Sequence, residues 1–288
     1  MSSWLWAGFV SSVAALSLAI GGVAVKRRLR RLRDDHRLRP ALWNRFYAVD
    51  WGDTATNNYG FAPADPADTA PDRFQRQLYR EMLALLSRTN PRLPDGARLL
   101  EVSCGRGGGL DSFLAAAGPD RFRATGLDVA ESAVRFCAER WADREFVCGC
   151  AMALPFADRS FDVVLNVEAS NDYPDRRRFF AEVRRVLRPG GIFLYADTEK
   201  AANQGRMARD LSDAGFAFDL ADITGHVVEA CRLDTPRRRA VIAARAPLPA
   251  RLLLRRELAN YAAVEGSAKF ERFRTRERRY LMAAAVPA

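Results

Sequence analysis

The sequence has few of the residues that build metal sites and disulfide frameworks. Its 288 residues include two histidines, His36 and His226, and five cysteines, an odd number. No cysteines and histidines stand at the spacing of a zinc site, so we expect no bound metal. The cysteines lie in apolar or strand-like contexts, which indicates reduced thiols in a cytosolic domain rather than a disulfide framework.

Motifs of nucleic-acid-binding modules are also missing, although the chain is strongly basic. The net charge is +10 and the isoelectric point is about 9.9, which suits either nucleic acid or an anionic membrane surface. No basic motif interleaved with aromatic residues, of the kind that reads RNA or DNA, is present. We therefore expect no nucleic-acid partner.

Charged residues are absent from the first 25 positions. Ser2–Val25 holds ~22 mostly apolar residues, which at ~1.5 Å per residue form a helix of about 33 Å, enough to cross a hydrocarbon core of ~30 Å. The basic cluster Lys26–Arg33 follows this run, whereas a secretory signal peptide carries its positive charge first. The sequence predicts a single-pass membrane protein with a transmembrane helix over residues 1–25 and the rest of the chain in the cytoplasm. A buried helix is the alternative, but the run shows no polar face.

Turn-forming residues divide the remainder of the chain. Residues 26–71 are predicted to form a basic juxtamembrane segment and a linker with short helical pieces, and residues 72–288 a single domain. In this domain short apolar runs alternate with amphipathic stretches. The predicted strands lie near 98–103, 122–127, 145–149, 161–166, 191–197 and 216–222, with a last strand at the C-terminus. This alternation predicts an α/β fold with a doubly wound, mostly parallel, seven-stranded sheet and helical cap elements at 72–88 and 224–272.

The stretch LLEVSCGRGGG, residues 99–109, is typical of a buried strand that leads into a ligand-binding loop. The strand ends in Glu101, and a carboxylate beside the loop repels phosphates but suits a ligand that carries an ammonium and a sulfonium group. Asp128 ends the second strand, where a carboxylate can accept hydrogen bonds from both hydroxyls of a ribose. These two acids and the glycines favour S-adenosylmethionine over NAD.

Longer motifs carry a family resemblance over residues 59–287. They include NNYG, LLEVSCGRGGG, GLDVAESAVRFC, FVCGCAMALPFADRSFDVVLNVEAS and VEGSAKFERFRTRERRY. The chain resembles the class I S-adenosylmethionine-dependent methyltransferases, which have a Rossmann-like sheet. Within that class it is most similar to the small-molecule O-methyltransferases of polyketide-derived lipids, of the phthiotriolone dimycocerosate type.

The resemblance implies a set of cofactor-binding residues. Gly105 and Gly107 would let the backbone approach the methionine part of the cofactor, Glu101 would orient its amino group, and Asp128 would hold its ribose. Val129, Ala151 and Met152 would pack the adenine, and Asn166 would present its carbonyl at the end of the fourth strand. The full set is Tyr59, Glu101, Ser103, Gly105, Gly107, Asp128, Val129, Cys150, Ala151, Met152 and Asn166. Ser103 is normal at its position in this subfamily.

The sequence departs from the family at two positions. Cys150 stands where the family has an aspartate that accepts from the adenine amino group, and a thiol is a weak acceptor. Asn171 stands where the family has a histidine, and asparagine cannot act as a base. Asp172 and His226 are the candidate substitutes, so the predicted catalytic residues are Asn171, Asp172 and His226. For each acid or histidine, a structural or solvated role is the alternative.

The predicted activity is in-line transfer of a methyl group to a hydroxyl of a small hydrophobic, lipid- or polyketide-like acceptor. The alternatives are methylation of nitrogen or carbon in a small molecule, and a cofactor-binding protein at the membrane that does not methylate. A membrane anchor suits a lipid-like acceptor. The basic residues near the C-terminus, among them Lys269, are expected either to rest on anionic headgroups or to be solvated. The oligomeric state stays open.

Overall fold

A computed structural model describes residues 39–49, 51–52, 54–246 and 254–288. The strands are β1 (Ala97–Val102), β2 (Phe122–Asp128), β3 (Glu145–Cys148), β4 (Phe161–Val167), β5 (Leu187–Lys200), β6 (Phe216–Asp222) and β7 (Arg278–Pro287). The α-helices in the described residues are α1 (Arg39–Tyr47), α2 (Arg73–Thr89), α3 (Gly108–Ala117), α4 (Glu131–Arg140), α5 (Arg176–Val186), α6 (Arg206–Asp213), α7 (Thr224–Leu233), α8 (Thr235–Arg245), α9 (Arg255–Tyr261) and α10 (Ala268–Arg274).

The strands form one seven-stranded sheet in the order β3-β2-β1-β4-β5-β7-β6. Strand β7 is antiparallel to both of its neighbours, and the other strands are mutually parallel. The predicted doubly wound, mostly parallel, seven-stranded α/β fold is confirmed. The chain runs outward in opposite directions from β1 and β4, so the crevice at their carboxyl ends is the position where such sheets bind ligands.

The core lies in two layers, one on each face of the sheet. Successive side chains of a strand point to opposite faces, so Leu99 packs in one layer and Leu100 in the other. Helix α2 covers the first face with Leu78 and Met82, while α5 covers the second with phenylalanines. Strands buried on both faces explain why β1 and β4 appear in the sequence as continuous apolar runs.

Several predicted boundaries differ from the structure. The residues RPGG at 188–191 do not only end α5 but lie within β5, where the pairing with β4 shifts register between Phe161 and Val163. After β5, a 3₁₀ turn over Ala201–Asn203 precedes helix α6, which begins at Arg206. Among the described residues, the cap predicted as helical over 224–272 contains four separate helices, α7 to α10, and α10 continues to Arg274. Each difference falls at an element end, where local sequence signals are weakest.

The described residues between 39 and 71, which belong to the segment predicted over 26–71 as juxtamembrane segment and linker, pack against α4 and the glycine-rich loop. The side chain of Asn44 in α1 accepts a hydrogen bond from the backbone N–H of Ser132 at 2.8 Å, and its carbonyl accepts one from the Ser132 hydroxyl at 2.7 Å. The carbonyl of Ala55 accepts from the N–H of Gly108 at 3.3 Å. This segment therefore forms one wall of the crevice.

None of the helices in the described parts of the chain is long and apolar enough to cross a membrane. The transmembrane helix predicted over residues 1–25 lies outside the described residues, and so does most of the basic segment that follows it.

Candidate functional site

The loop between β1 and α3 turns through three residues with positive φ. Ser103, Gly105 and Gly107 have φ values of 62°, 54° and 72°, a region that L side chains adopt only at a cost. A side chain at Gly105 would lie 2.8 Å from the hydroxyl oxygen of Tyr47. Ser103 thus occupies a conformation that favours glycine, and its hydroxyl is 2.5 Å from the hydroxyl of Tyr173. The loop thus places backbone groups without bulky side chains at the carboxyl end of β1.

Asp128 fixes this loop to the end of β2. Its Oδ2 accepts from the N–H of Gly105 at 2.8 Å and its Oδ1 from the N–H of Ala130 at 2.9 Å. Burial raises the pKa of the carboxyl above its usual value, against the opposing effect of these hydrogen bonds. Each carboxylate oxygen has two lone pairs, so the capacity to accept from a ribose remains. The structure adds a loop-holding role to the predicted ribose contact.

Glu101 presents an oxygen without a hydrogen-bond partner. Its side chain is 1% exposed, its Oε1 accepts from the hydroxyl of Tyr79 at 2.7 Å, and its Oε2 has no partner. Burial raises the pKa of this carboxyl to about 8 and Asp128 adds to the shift, while the hydroxyl of Tyr79 and the backbone N–H of Leu110 oppose it. A buried, unpaired oxygen is costly unless a ligand satisfies it. A ligand ammonium group would satisfy it and would also stabilise the charged carboxylate.

Asn166 supplies a second oxygen of this kind, on the neighbouring strand. Its amide nitrogen donates to the carbonyl of Val102 at 2.9 Å and to the hydroxyl of Tyr173 at 3.1 Å, while its Oδ1 has no partner. Residue 165 of β4 pairs with Glu101 of β1, so both oxygens lie where these strands end. The residues present therefore fit a cofactor whose cationic end binds at the switch point of the sheet.

The residues predicted to pack the adenine lie beyond β2 and β3. Ala151 is buried in the second core layer, and Met152 packs against that layer while half-buried. The Val129 carbonyl is 3.8 Å from the thiol of Cys148. Cys150 is exposed, and its loop is closed by a bridge to Ala153. Position 150 is thus accessible to a ligand but offers only a weak acceptor.

Restoring an acid at this position is expected to tighten cofactor binding. Cys150→Asp places a carboxylate where an adenine amino group can donate, and one such hydrogen bond contributes ~0.5–1.5 kcal/mol. We therefore expect an affinity gain of about 2- to 10-fold in a calorimetric titration with S-adenosylmethionine. Cys150→Ala is the matched control, with no gain. Equal affinities in the three proteins would mean that residue 150 does not contact the adenine.

Asn171 lies in a 3₁₀ turn after β4, where it holds the loop to β5. Its amide nitrogen donates to Asp197 and, at 2.7 Å, to the hydroxyl of Thr198, and its backbone N–H donates to Asp197 at 3.0 Å. Asp172 follows it and is close enough to raise the pKa of Lys269 and of Tyr261. Asp172 therefore faces the C-terminal helices.

His226 packs against Phe61 and Ala62, in the segment that follows Tyr59. Its ring stacks on Phe61 with centroids 4.1 Å apart, and its Nδ1 is 2.7 Å from the carbonyl of Ala62. These contacts attach α7 to residues 61–62, and none of the contacts described for His226 involves Asn171. The hypothesis that His226 replaces the missing histidine as a base is not supported by its surroundings.

Glu168 directly follows β4 and is not among the site residues predicted from the sequence. Its Oε1 accepts from the backbone N–H of Tyr59 at 2.6 Å and from the hydroxyl of Tyr280 at 2.9 Å. Burial raises the pKa of its carboxyl to about 8. The sequence contained a signal for this residue, since Glu168 comes at the end of an apolar run in NVEAS much as Glu101 does in LLEVS.

Tyr59 and Lys269 meet beside this carboxylate. The Lys269 ammonium donates to the Tyr59 hydroxyl at 2.6 Å, and burial lowers the pKa of the lysine to about 8. Tyr59, predicted to bind cofactor, therefore contacts Glu168 and Lys269. The expectation that Lys269 rests on headgroups or is solvated is wrong, because its ammonium group is directed into the protein.

Comparisons with known proteins agree with this geometry. A family profile described as a methyltransferase domain matches residues 100–195. The probable phthiotriol/phenolphthiotriol dimycocerosates methyltransferase 2 of Mycobacterium ulcerans is 37% identical over 204 residues, which cover 70% of this chain and 74% of that protein. The fatty-acid O-methyltransferase of Mycolicibacterium smegmatis is 41% identical over 160 residues, which cover 54% of this chain and 57% of that protein.

A solved structure shares the fold. The geranyl diphosphate C-methyltransferase of Streptomyces coelicolor A3(2), in complex with Mg²⁺, geranyl diphosphate and S-adenosyl-L-homocysteine, superposes with a TM-score of 0.60. It is 15% identical, and the superposition covers 86% of this chain and 98% of that chain. At this identity the likeness concerns the fold alone.

Proposed function

Because the chain belongs to the class I S-adenosylmethionine-dependent methyltransferases, in the subfamily of the phthiotriol dimycocerosates methyltransferases, we propose that it methylates a hydroxyl of a small hydrophobic, lipid-like acceptor. Its cofactor is S-adenosylmethionine. The observation that carries the proposal is the similarity over 70% of the chain to a protein named for methylation of a hydroxylated lipid.

Different described residues would bind the cofactor, hold the glycine-rich loop and exclude water. When bound, S-adenosylmethionine supplies a methyl group on a sulfonium, which an acceptor oxygen takes by in-line displacement. The loop glycines would give the cofactor access to backbone N–H groups, the unpaired oxygens of Glu101 and Asn166 would accept from its ammonium, and Asp128 holds the loop. The described residues between 39 and 71 and the helices after β6 would exclude water from the bound substrates. Positioning and exclusion of water can supply most of the acceleration in such a transfer.

The acceptor test compares a hydroxylated lipid with its blocked form. The full-length protein is incubated with radiolabelled S-adenosylmethionine and either phthiotriol dimycocerosates or the same lipids with acetylated hydroxyls. We expect transfer of label to the free hydroxyl form and none to the acetylated form. Equal transfer to both would contradict hydroxyl methylation.

A carboxylic acid is the second candidate acceptor. The relative named as a fatty-acid O-methyltransferase is 41% identical, and the Lys269 ammonium beside Tyr59 offers a counter-ion to a carboxylate. A fatty acid is already ionised at neutral pH and would need no base. A C16 fatty acid in the same assay separates the two acceptors. Methylation at nitrogen or carbon remains the alternative that product analysis distinguishes, whereas family membership disfavours a protein that binds cofactor without methylating.

We also propose that residues 1–25 anchor the protein in a membrane as a single span, with the catalytic domain in the cytoplasm. The uncharged run and the basic cluster after it support this arrangement. Replacing Leu16 and Leu18 together by arginine should release the protein from sedimented membranes, because each charge at the centre of a span costs ~2.5–3.5 kcal/mol. Replacing both by alanine is the control and should leave it membrane-bound. Release of the unaltered chain would contradict the anchor.

A further inference from the structure

Tyr79 lies near two carboxylates of the site, those of Glu101 and Glu168. Glu101 accepts from its hydroxyl, and the pKa of that hydroxyl is raised by burial, by Glu101 and by Glu168. Glu168 lies three residues beyond Leu165, the partner of Glu101 in the β1–β4 pairing. Glu168 is therefore next to the cofactor end of the crevice and on the side of the C-terminal helices.

The backbone and side chain of Glu168 are both constrained. The residue has a φ of 54°, a conformation that costs a non-glycine residue free energy and is concentrated at functional sites. Its N–H donates to the carbonyl of Ala196 at 2.8 Å, and its Oε1 accepts from Tyr59 and Tyr280. No hydrogen bond described for this residue involves Oε2, and its side chain is half-buried. One oxygen is thus held while the other is free to meet a ligand.

The charged and titratable groups around Glu168 come from several elements. They are Tyr59 before α2, Tyr79 on α2, Asp197 on β5, Cys231 on α7, Tyr261 on α9, Lys269 on α10 and Tyr280 on β7. Burial and, to a smaller extent, Asp197 raise the pKa of the Glu168 carboxyl to about 8. The hydrogen bonds from Tyr59 and Tyr280 and the charge of Lys269 oppose this rise. A base is most effective when its pKa lies near the working pH, and a carboxyl pKa of about 8 is close to neutral pH.

The cation in this group is one of only three lysines in a chain with 45 basic residues. An arginine stays charged in proteins, whereas a buried lysine can lose its charge. The pKa of Lys269 is lowered to about 8 by burial and by Arg278, and raised by Glu168 and Asp172. Lysine at this position therefore lets the charge of the pair change in the same pH range as Glu168.

We propose that Glu168 is the general base that accepts the hydroxyl proton of the acceptor, and that the nearby charge of Lys269 tunes it; this rests on the proposed function. The acceptor oxygen forms a bond to the transferred methyl carbon, and the donor sulfur keeps the electron pair of the bond that breaks. The hydroxyl proton moves to Oε2 of Glu168 and leaves to solvent after release of product. Glu168 thus takes the place of the histidine that Asn171 replaces.

The test compares Glu168→Gln with a matched buried control. Glu199→Gln changes another buried glutamate, which accepts from the N–H groups of Gly205 and Met207 and lies outside the site. With phthiotriol dimycocerosates as acceptor, we expect kcat to fall by ~10²- to 10⁴-fold in Glu168→Gln and to stay within about threefold in the control. The affinity for S-adenosylmethionine should be unchanged in both. Glu168→Asp, which keeps an acid, should restore part of kcat and the pH profile.

A second readout uses the apoprotein. Carboxyl-labelled glutamate is followed by ¹³C NMR, and a resonance that titrates near pH 8 and disappears in Glu168→Gln is expected. Lys269→Met should move this titration, and the acidic limb of the kcat profile, to higher pH because it removes the cation that lowers the pKa of Glu168.

Two results would overturn the base role, and they are distinguishable. Hydroxyl transfer that Glu168→Gln retains within threefold would overturn it while the proposed function stands. Transfer by the unaltered protein to the fatty acid but not to the hydroxyl would overturn the proposed function and the base role with it.

Discussion

Asp128→Ala is expected to weaken binding of S-adenosylmethionine by ~10²- to 10⁴-fold. The carboxylate accepts from the N–H groups of Gly105 and Ala130, and hydrogen bonds to a charged group contribute ~1.5–3 kcal/mol each. Their loss frees the glycine-rich loop, and the predicted ribose contact is lost with them. A calorimetric titration of the full-length protein measures this effect.

Two further variants separate these contributions. Asp128→Asn keeps the shape and one acceptor oxygen, so we expect a smaller loss than for alanine. Asp158→Ala removes an exposed carboxylate that pairs with Arg185 outside the crevice and should leave the affinity unchanged. An Asp128→Ala protein that binds S-adenosylmethionine as tightly as the unaltered protein would contradict the assigned cofactor site.

Glu101→Gln is expected to weaken cofactor binding by about 10- to 100-fold at pH 8 and to remove most of its pH dependence. The pKa of the Glu101 carboxyl is raised to about 8, so below that pH it is largely protonated. An ammonium ligand favours the ionised form, and binding must release the proton. The affinity of the unaltered protein should therefore increase as the pH rises from 6 to 8, by at most tenfold per unit.

The same shift has a consequence for folding. A carboxyl whose pKa is higher in the folded than in the unfolded state contributes stability below its unfolded pKa, and this contribution is lost as the pH rises through about 8. The Glu101→Gln protein should therefore lose less stability between pH 5 and 8 than the unaltered protein. Thermal unfolding measures this change.

A pH-independent affinity for S-adenosylmethionine in the unaltered protein would contradict the pairing of Glu101 with an ammonium group.

The parts of the site near the sheet could be predicted from local sequence. Glu101 and Asp128 each end a strand, and parallel strands bring their carboxyl ends to one edge, so spacing alone places them together. The side-chain oxygens of Glu101 and Asn166 that have no hydrogen-bond partner lie near this edge, as the placement predicts. What the spacing did not indicate is that Asp128 also holds the loop, because that role depends on the φ values around Gly105.

The acceptor side could not be predicted in the same way, because its residues come from distant parts of the chain. Lys269 contacts Tyr59 across 210 positions, and the two appear in the sequence as members of unrelated helical and loop segments. A lysine on a short amphipathic helix is usually solvated. Only the tertiary packing of α10 against the segment before α2 directs it inward. His226 is the opposite case. Its position at the start of a helix suggested a catalytic base, but its ring stacks on Phe61 as a packing residue does.

The most direct test of methyl transfer to a hydroxyl is the position of the transferred carbon. The full-length protein is incubated with phthiotriol dimycocerosates and S-adenosylmethionine that carries a ¹³C methyl group, and the product is analysed by NMR and mass spectrometry. We predict a labelled methyl ether on one hydroxyl oxygen, and no labelled product when the protein carries Asp128→Ala. Label on carbon or nitrogen, or an unlabelled lipid from a protein that binds the cofactor, would contradict hydroxyl methylation.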